Sequence, residues 1–571
     1  MRLFSTGNIG SLVIKNRVIM APMTTRLSTV DGFVTDASIA YFCARASGGV
    51  GLITVEMASP ELEGRHRAHE LGIYHDHYVP GLTRLVQSIH ACGAKASIQL
   101  GHAGGHTRKD ISGLTPLAPS ALPHDVYEVT MQTILPEEIS VQRIKQTVQS
   151  FVQAAKRAEQ AGFDCVEIHG AHGYLLSQFL CPAENIRHDE YGGSIENRLR
   201  ISLEIIQGIR AALPNFPLIY RLNVDDYFLQ GLQFEEGLEM AKVLASSGID
   251  AIHITAGHYK STPSAERMIP PMIYPDATFA HFAEQVKNVV QIPVITVGRL
   301  GNPTLANQVL EEGKADFIAL GRTLLADPQW VNKAAAQLPI RPCIACNTCV
   351  NEMRGGKQLG CLVNPTAAHE LEFPTLEPFV QGERIAVIGA GPAGLSYAAL
   401  MGVKNHVTVF DKNSQVGGSW LSAAKAPRFQ EVKTNPIAFE NFTNQLRKSA
   451  ELAGVDFQMG VDIQTHIQNH PNLLQSFDRI VFATGARYRY GLGVWVNLIL
   501  KTPLRHWSIL DRIFQNETFK NWFYTKARVS LSDSLLGLVG SHQKCQMIGD
   551  ALLPGKSDMA IRSAYILALK D

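Results

Sequence analysis

Up to about residue 336, short apolar runs rich in β-branched residues alternate with longer segments whose apolar positions recur at helical spacing. The runs are VIMA (18–21), GLITVE (51–56), KASIQL (95–100), CVEIHG (165–170), LIYRL (218–222), AIHIT (251–255), PVITVG (293–298) and FIALG (317–321). Between them lie stretches such as SVQRIKQTVQSFVQAAKRAEQAG and EEGLEMAKVLASSG, each closed by a glycine suited to ending a helix. Eight strand–helix pairs predict an α/β architecture that opens with an N-terminal (β/α)8 TIM barrel. The runner-up, an open Rossmann-like sheet, would be expected to carry a G-x-G-x-x-G, and this part contains none.

In such barrels, catalytic and binding groups sit where the strands end at the C-terminal face. Here those ends are loaded with chemistry: Pro22, Met23 and Thr24 after the first strand, Gln99 and His102 at the third, and Glu167, His169, His172 and Tyr174 at the fourth. Arg221 lies on the fifth, and His258 follows the sixth. Gly298-Arg299 and Gly321-Arg322 follow the last two strands, in loops where barrels commonly hold a phosphate. Glycine lets backbone N–H groups approach the oxygens, and arginine supplies a bidentate fork. His169-Gly-Ala-His172 offers two metal-ligating rings without a clear third ligand, and a packed strand histidine is the plainer alternative. Two imidazoles can also hold one carbonyl oxygen from two sides while a nearby phenol, here Tyr174, supplies a proton.

The strings VIMAPMTT, GGVGLITVE, QLGHAG, APSAL, AGFDCVEIHGAHGYLLSQFL, NIRHDEYGGSIENRLR and DFIALGRTLLADP resemble the Old Yellow Enzyme family of FMN-containing barrels, over nearly all of residues 3–339. The resemblance implies FMN at the strand ends. Thr24 would lie beside the reactive part of the isoalloxazine, with Pro22, Met23 and Met57 lining it. Gln99 would meet the pyrimidine edge, Arg221 would favour negative charge near N1, and Gly298, Arg299, Gly321 and Arg322 would bind the phosphate. One departure stands out: many relatives carry arginine after HAG, where this chain has Gly105-His106.

Cysteine usage adds a second centre. Cys343-x2-Cys346-x2-Cys349-x11-Cys361 sets three thiols on one tight loop and a fourth shortly after, a spacing that favours one 4Fe–4S cluster. Zinc is the alternative, although two separated C-x2-C pairs are its more usual layout. The iron–sulfur branch of the resembling family, which includes 2,4-dienoyl-CoA reductase and trimethylamine dehydrogenase, has the same arrangement. The other five cysteines are scattered, unlike a secreted disulfide framework, and the first residues lack a signal-peptide pattern. No apolar run spans a bilayer, and the expected location is cytoplasmic.

A linker, ELEFPTLEPFVQGE, precedes a second domain that begins with RIAVIGAGPAGLSYAALMGVKNHVTVFDK. A strand feeds Gly389-x-Gly391-x-x-Gly394 and a helix, and the next strand ends at Asp411, a dinucleotide fingerprint in register. Gly417-Gly418, IVFATGA and MIGDALLPGKSDMAIRSAY resemble FAD-binding disulfide-reductase-like domains, which implies that Gly418 and Asp550 face FAD, or an ADP-like nucleotide in its place. The expected domains are 1–340 (FMN barrel), 341–382 (cluster loop and linker) and 383–571 (nucleotide domain). The stretch at about 487–548 is too short for the complete NAD(P)H domain of full-length iron–sulfur relatives. It holds Trp495, Trp507 and Trp522 with Lys501, Arg505, Arg512, Lys520, Lys526 and Arg528: either a patch on a shortened core or a docking surface for an electron donor or acceptor protein or a membrane face.

A net charge of +1 and 18% charged residues give no reason to expect nucleic acid as a partner, so the ligand is expected to be a small molecule, and an oligomer is possible. The implied activity is hydride exchange between FMN N5 and an α,β-unsaturated carbonyl or enoyl thioester, with electrons relayed through 4Fe–4S and FAD. His169 and His172 would hold the carbonyl and Tyr174 would protonate Cα. His258 is a second acid candidate, by resemblance to dienoyl-CoA reductase. Alternatives are an amine dehydrogenase or demethylase, a carbonyl-compound desaturase, and a C-terminal part that only retains nucleotide as a docking module.

Overall fold

A computed structural model describes residues 1–128, 130–469, 473–489, 492–502, 512–513, 516, 518–519, 522–530 and 544–570. It divides into two compact units: residues 1–324, 328–336 and 349–359, and residues 325–327, 337–348 and 360–571.

In the first unit every run picked out by the pattern is a strand: β1 (Val18–Met20), β2 (Leu52–Ser59), β3 (Lys95–Leu100), β4 (Cys165–Gly170), β5 (Leu218–Asn223), β6 (Ala251–Thr255), β7 (Val294–Val297) and β8 (Phe317–Leu320). Each pairs in parallel with the next, and β8 pairs with β1, so the sheet closes on itself. The strands are buried along their length because both faces are covered, one by the barrel interior and the other by helices. Those helices are α1 (Asp36–Ser47), α2 (Val79–Ala91), α3 (Val141–Gln160), α4 (Ile195–Ala212), α5 (Phe234–Ser246), α6 (Ala280–Lys287), α7 (Pro303–Glu311) and α8 (Arg322–Ala326). Side-chain caps define several entries: Ser140 accepts from the Arg143 N–H, Ser194 from the Asn197 N–H, and Thr35 forms a reciprocal box with Ser38.

A hairpin, Gly7–Ile9 with Leu12–Ile14, closes the opening at the strand N-termini. Its Ile9, Leu12 and Ile14 pack with Leu52, Cys165, Ile219, Ala251, Ile295 and Phe317. With that end filled by hydrocarbon, polar side chains collect at the other end.

The second unit is built on β9 (Arg384–Ile388), β10 (His406–Asp411), β11 (Asp456–Met459), β12 (Arg479–Phe482) and β13 (Lys544–Met547), all parallel, in the order β11-β10-β9-β12-β13. Strand order reverses about β9, where open α/β sheets place their ligands. α9 (Pro392–Met401) follows β9, and α10 (Pro436–Leu452) and α11 (Ser557–Lys570) complete the layers. No helix among the described residues is long and apolar enough to cross a membrane.

Candidate active site

Strand register brings the polar residues of the barrel mouth together. β4 sets Glu167 beside Gln99 of β3 and His169 beside Arg221 of β5, which in turn lies beside His253 of β6. Gln99 Nε2 donates to Glu167 Oε1 (2.7 Å), and His253 Nδ1 meets Glu167 Oε2 (2.7 Å). Burial would lift the Glu167 pKa, but His253 and Arg221 hold it below the ordinary carboxylate value. Glu167 thus fixes the Gln99 amide and faces the buried Arg221 cation.

His169 and His172 both have pKa values driven well below the imidazole norm, first by burial and then by Arg221. Both rings are neutral donors at ordinary pH, with centroids 5.2 Å apart. His172 Nε2 lies 3.0 Å from Thr255 Oγ1. His172 is left-handed (φ 67°), as is Gly173 (φ 82°), and a Cβ on Gly173 would come within 2.6 Å of the His258 ring. That turn delivers Tyr174, buried, with its ring 5.2 Å from His169.

On its far side Tyr174 meets residues from other loops. Its ring lies 5.3 Å from His66 and 5.7 Å from Tyr259, and His106 stands 5.4 Å from Tyr259 and 5.1 Å from His124. The unusual Gly105-His106 is explained by this crowding, since a Cβ on Gly105 would fall 2.5 Å from the His124 ring. A guanidinium still reaches Tyr174, from Arg67 in the loop after β2.

His258 belongs to a different environment. Its Nδ1 faces the Lys260 N–H (3.1 Å), and its Nε2 lies 3.1 Å from Glu184, a fully buried carboxylate also approached by His124 (3.4 Å) and Lys260 (3.7 Å). Burial opposes a charged imidazole, but Glu184 and Asp226 overcome it and raise the His258 pKa. Asp226 is held by Asn223 and the Leu232 N–H. His102, in contrast, turns away to Glu61 (3.3 Å), which Arg143 also binds, and belongs to a structural ion-pair group.

The two Gly-Arg pairs lie beside one another. Arg299 reaches the Pro271 carbonyl (3.4 Å) and Asp276 (2.7 Å), and Arg322 reaches the Pro270 carbonyl (2.8 Å). A Cβ on Gly321 would lie 3.1 Å from Met23 Sδ, and one on Gly101 would lie 2.6 Å from Met57 Sδ. Arg221 Nε and His169 Nδ1 are buried with no hydrogen-bond partner among the described residues. Cationic forks, an amide and the Met23 and Met57 sulfurs at the strand exits, with these unpaired atoms, suit an anionic, planar, hydrogen-bonding cofactor such as FMN. Pro22, Met23 and Thr24 lie at the β1 exit, half-buried.

In the second unit, Gly389 (φ 117°) has its Cα so near β12 that a Cβ would fall 2.4 Å from the Ala483 carbonyl, while a Cβ at Gly391 would meet open space. Gly418 faces Gly391, and Gly394 packs directly on Gly389. Asp411 accepts from the Ala390 N–H (2.7 Å) and so clamps the glycine loop. Asp550 is paired with Arg528 and accepts from the Gly555 N–H (3.0 Å). Arg528 therefore faces inward, whereas Trp495 and Trp522 are exposed. Trp507, Arg505 and Lys520, and the Lys501 side chain, lie outside the described residues.

Ala345 and Asn347 are left-handed and curl the chain around Cys343 and Cys346. Burial, reinforced by Cys343 and Cys346, pushes the Cys361 thiol up to about 12, while the Val363 and Asn364 N–H groups point at its sulfur. Closely set sulfurs with backbone donors suit a cation that ionises them. None of the nine cysteines, all among the described residues, forms a disulfide.

Sequence reasoning passed over Arg67, Tyr259 and Glu184. His258-Tyr259-Lys260, three ionisable residues directly after a strand, was the available signal for Tyr259. Nothing local marks the other two.

The sequence model of the NADH:flavin oxidoreductase / NADH oxidase family matches residues 2–341, and that of an NAD(P)-binding Rossmann-like domain matches residues 387–479. The chain is 38% identical over 498 residues to an NADH oxidase of Thermoanaerobacter brockii, covering 85% of this chain and 73% of that one. It is 31% identical over 515 residues to a cinnamate reductase of Clostridium sporogenes, covering 85% and 74%. The solved structure of a 2-naphthoyl-CoA reductase complex shares its fold with a TM-score of 0.87 at 22% identity, over 100% of this chain and 99% of that one.

Proposed function

The chain belongs to the NADH:flavin oxidoreductase / NADH oxidase family, a flavin oxidoreductase by that membership, and from this premise we propose that it reduces the C=C bond of α,β-unsaturated carbonyl compounds. The observation that carries the reading is the neutral His169–His172 pair beside the protonated phenol of Tyr174. Two neutral donors stabilise charge developing on a carbonyl oxygen without demanding an anionic substrate, and Tyr174 protonates Cα. FMN, when bound, supplies hydride chemistry. Pro22, Met23, Thr24, Met57, Gln99 and Arg221 hold its ring, and Gly298, Arg299, Gly321 and Arg322 hold its phosphate. His258, whose pKa Glu184 and Asp226 raise, is the second acid.

In the same reading, Cys343, Cys346, Cys349 and Cys361 hold a 4Fe–4S cluster. Gly389, Gly391, Gly394, Asp411, Gly418 and Asp550 hold FAD or an ADP-like nucleotide. The cinnamate reductase relative, named for a compound with a conjugated C=C, supports the substrate class. Flavin and iron analysis followed by anaerobic titration tests the whole assignment: NADH or NADPH should bleach the flavin, and 2-cyclohexenone should restore its colour. A flavin that an amine bleaches and 2-cyclohexenone leaves reduced would reverse the assigned direction. Tyr174→Phe should slow reoxidation by 2-cyclohexenone about 10²-fold or more while leaving reduction intact.

A further inference from the structure

Tyr174 is surrounded by groups that its role as a proton donor does not by itself require. Tyr259, from the loop after β6, hydrogen-bonds to it, with ring centroids 5.7 Å apart. Arg354, at the end of the helix Thr348–Arg354, places its guanidinium 5.1 Å from the Tyr259 centroid and binds the phenol. Arg67 binds Tyr174 and faces Tyr259. His66 and His106 close the remaining sides, both held neutral first by burial. Glu70, bound to the His66 and Arg67 N–H groups, lies behind Arg67. One phenol of the pair is therefore pressed between two permanent cations in a low-dielectric setting, which favours its conjugate base, and the other is not. Burial raises Tyr174, whereas at Tyr259 the two guanidinium groups outweigh burial and lower it.

We propose that Tyr259, with Arg67 and Arg354, is a proton relay that recharges Tyr174. The Tyr174 O–H gives its proton to Cα of the substrate, and the O–H of Tyr259 passes its proton to the Tyr174 oxygen. The resulting Tyr259 phenolate is compensated by the two guanidinium groups until a solvent proton restores it. Tyr259 is half-buried and the next residue, Lys260, is exposed, so water has access to that end of the relay. No electrons move in these steps; one proton enters from solvent for each proton delivered to carbon. The inference rests on Tyr174 as the donor.

The test uses the full-length holoenzyme in two assays: stopped-flow reoxidation by 2-cyclohexenone across pH, and ultraviolet difference absorbance of tyrosinate. Tyr259→Phe should slow multiple-turnover reoxidation about tenfold or more, with reduction by NAD(P)H unchanged, and should abolish the high-pH fall in rate. It should also remove the tyrosinate that forms in the wild type below the ordinary tyrosine range near pH 10. Arg354→Met, which keeps the phenol, should move both the tyrosinate midpoint and the rate limb to higher pH. If Tyr174→Phe slows the reaction but Tyr259→Phe and Arg354→Met move neither rate nor limb, the relay is overturned and the donor stands. If Tyr174→Phe also has no effect, the donor assignment falls with it.

Discussion

Two histidine environments sit side by side at the barrel mouth, where the His172 and His258 backbones bridge, and are electrostatic opposites. His169 and His172 face Arg221 with no carboxylate acting on them among the described residues, and burial plus that cation keep them neutral. His258 is equally buried, yet it faces Glu184 and Asp226, which raise its pKa and favour the charged ring. Burial alone does not set the protonation state of a mouth histidine; the sign of the nearest fixed charge does. One barrel end can thus offer uncharged donors to a carbonyl oxygen and, on its other flank, an imidazole whose protonated form is favoured.

Breaking the charged side should have the largest effect. Glu184→Gln leaves a buried imidazole without its anion and should cost about 3–5 kcal/mol of stability, read from the urea midpoint. A loss below about 1 kcal/mol would mean that His258 is neutral and the contrast false. The same pair gives a signed pH dependence. His258 has its folded pKa raised above 6.5, so its contribution is complete below 6.5 and is lost as pH rises through the folded value. Glu184 is depressed below 4.5, so its contribution is complete above 4.5 and is lost as pH falls through the folded value. The stability advantage of wild type over Glu184→Gln should therefore peak between those two values and decline on either side. On the neutral side the expected effects are smaller. His172→Ala should lower 2-cyclohexenone turnover about 10²-fold or more, whereas His172→Asn, which keeps an uncharged donor, should stay within about tenfold of wild type. A similar loss in both variants would show that the imidazole acts as more than a neutral donor.

Much of this site could be read in advance. The eight strands were legible because parallel strands buried on both faces are written as continuous apolar runs. His169, His172, Tyr174 and Arg221 were legible because barrel chemistry collects at strand exits. Glu184 was not, because it sits in a loop with no periodic or motif signal, and its importance comes from His258, distant in the chain. Arg67, Tyr259 and Arg354 come from three separate segments, and no spacing rule connects them. His102 followed the same strand-exit rule as His169, but its ring turned to Glu61, a choice made by side-chain packing.

Local order in the chain determined the alternation of strands and helices, the glycine loop after β9 and the spacing of the four clustered cysteines, because each depends on residues near one another in sequence. The charge on each buried histidine and tyrosine was decided only in three dimensions. A pKa is set by burial and by fixed charges within a few ångströms, and the fold alone chooses which distant residues supply them.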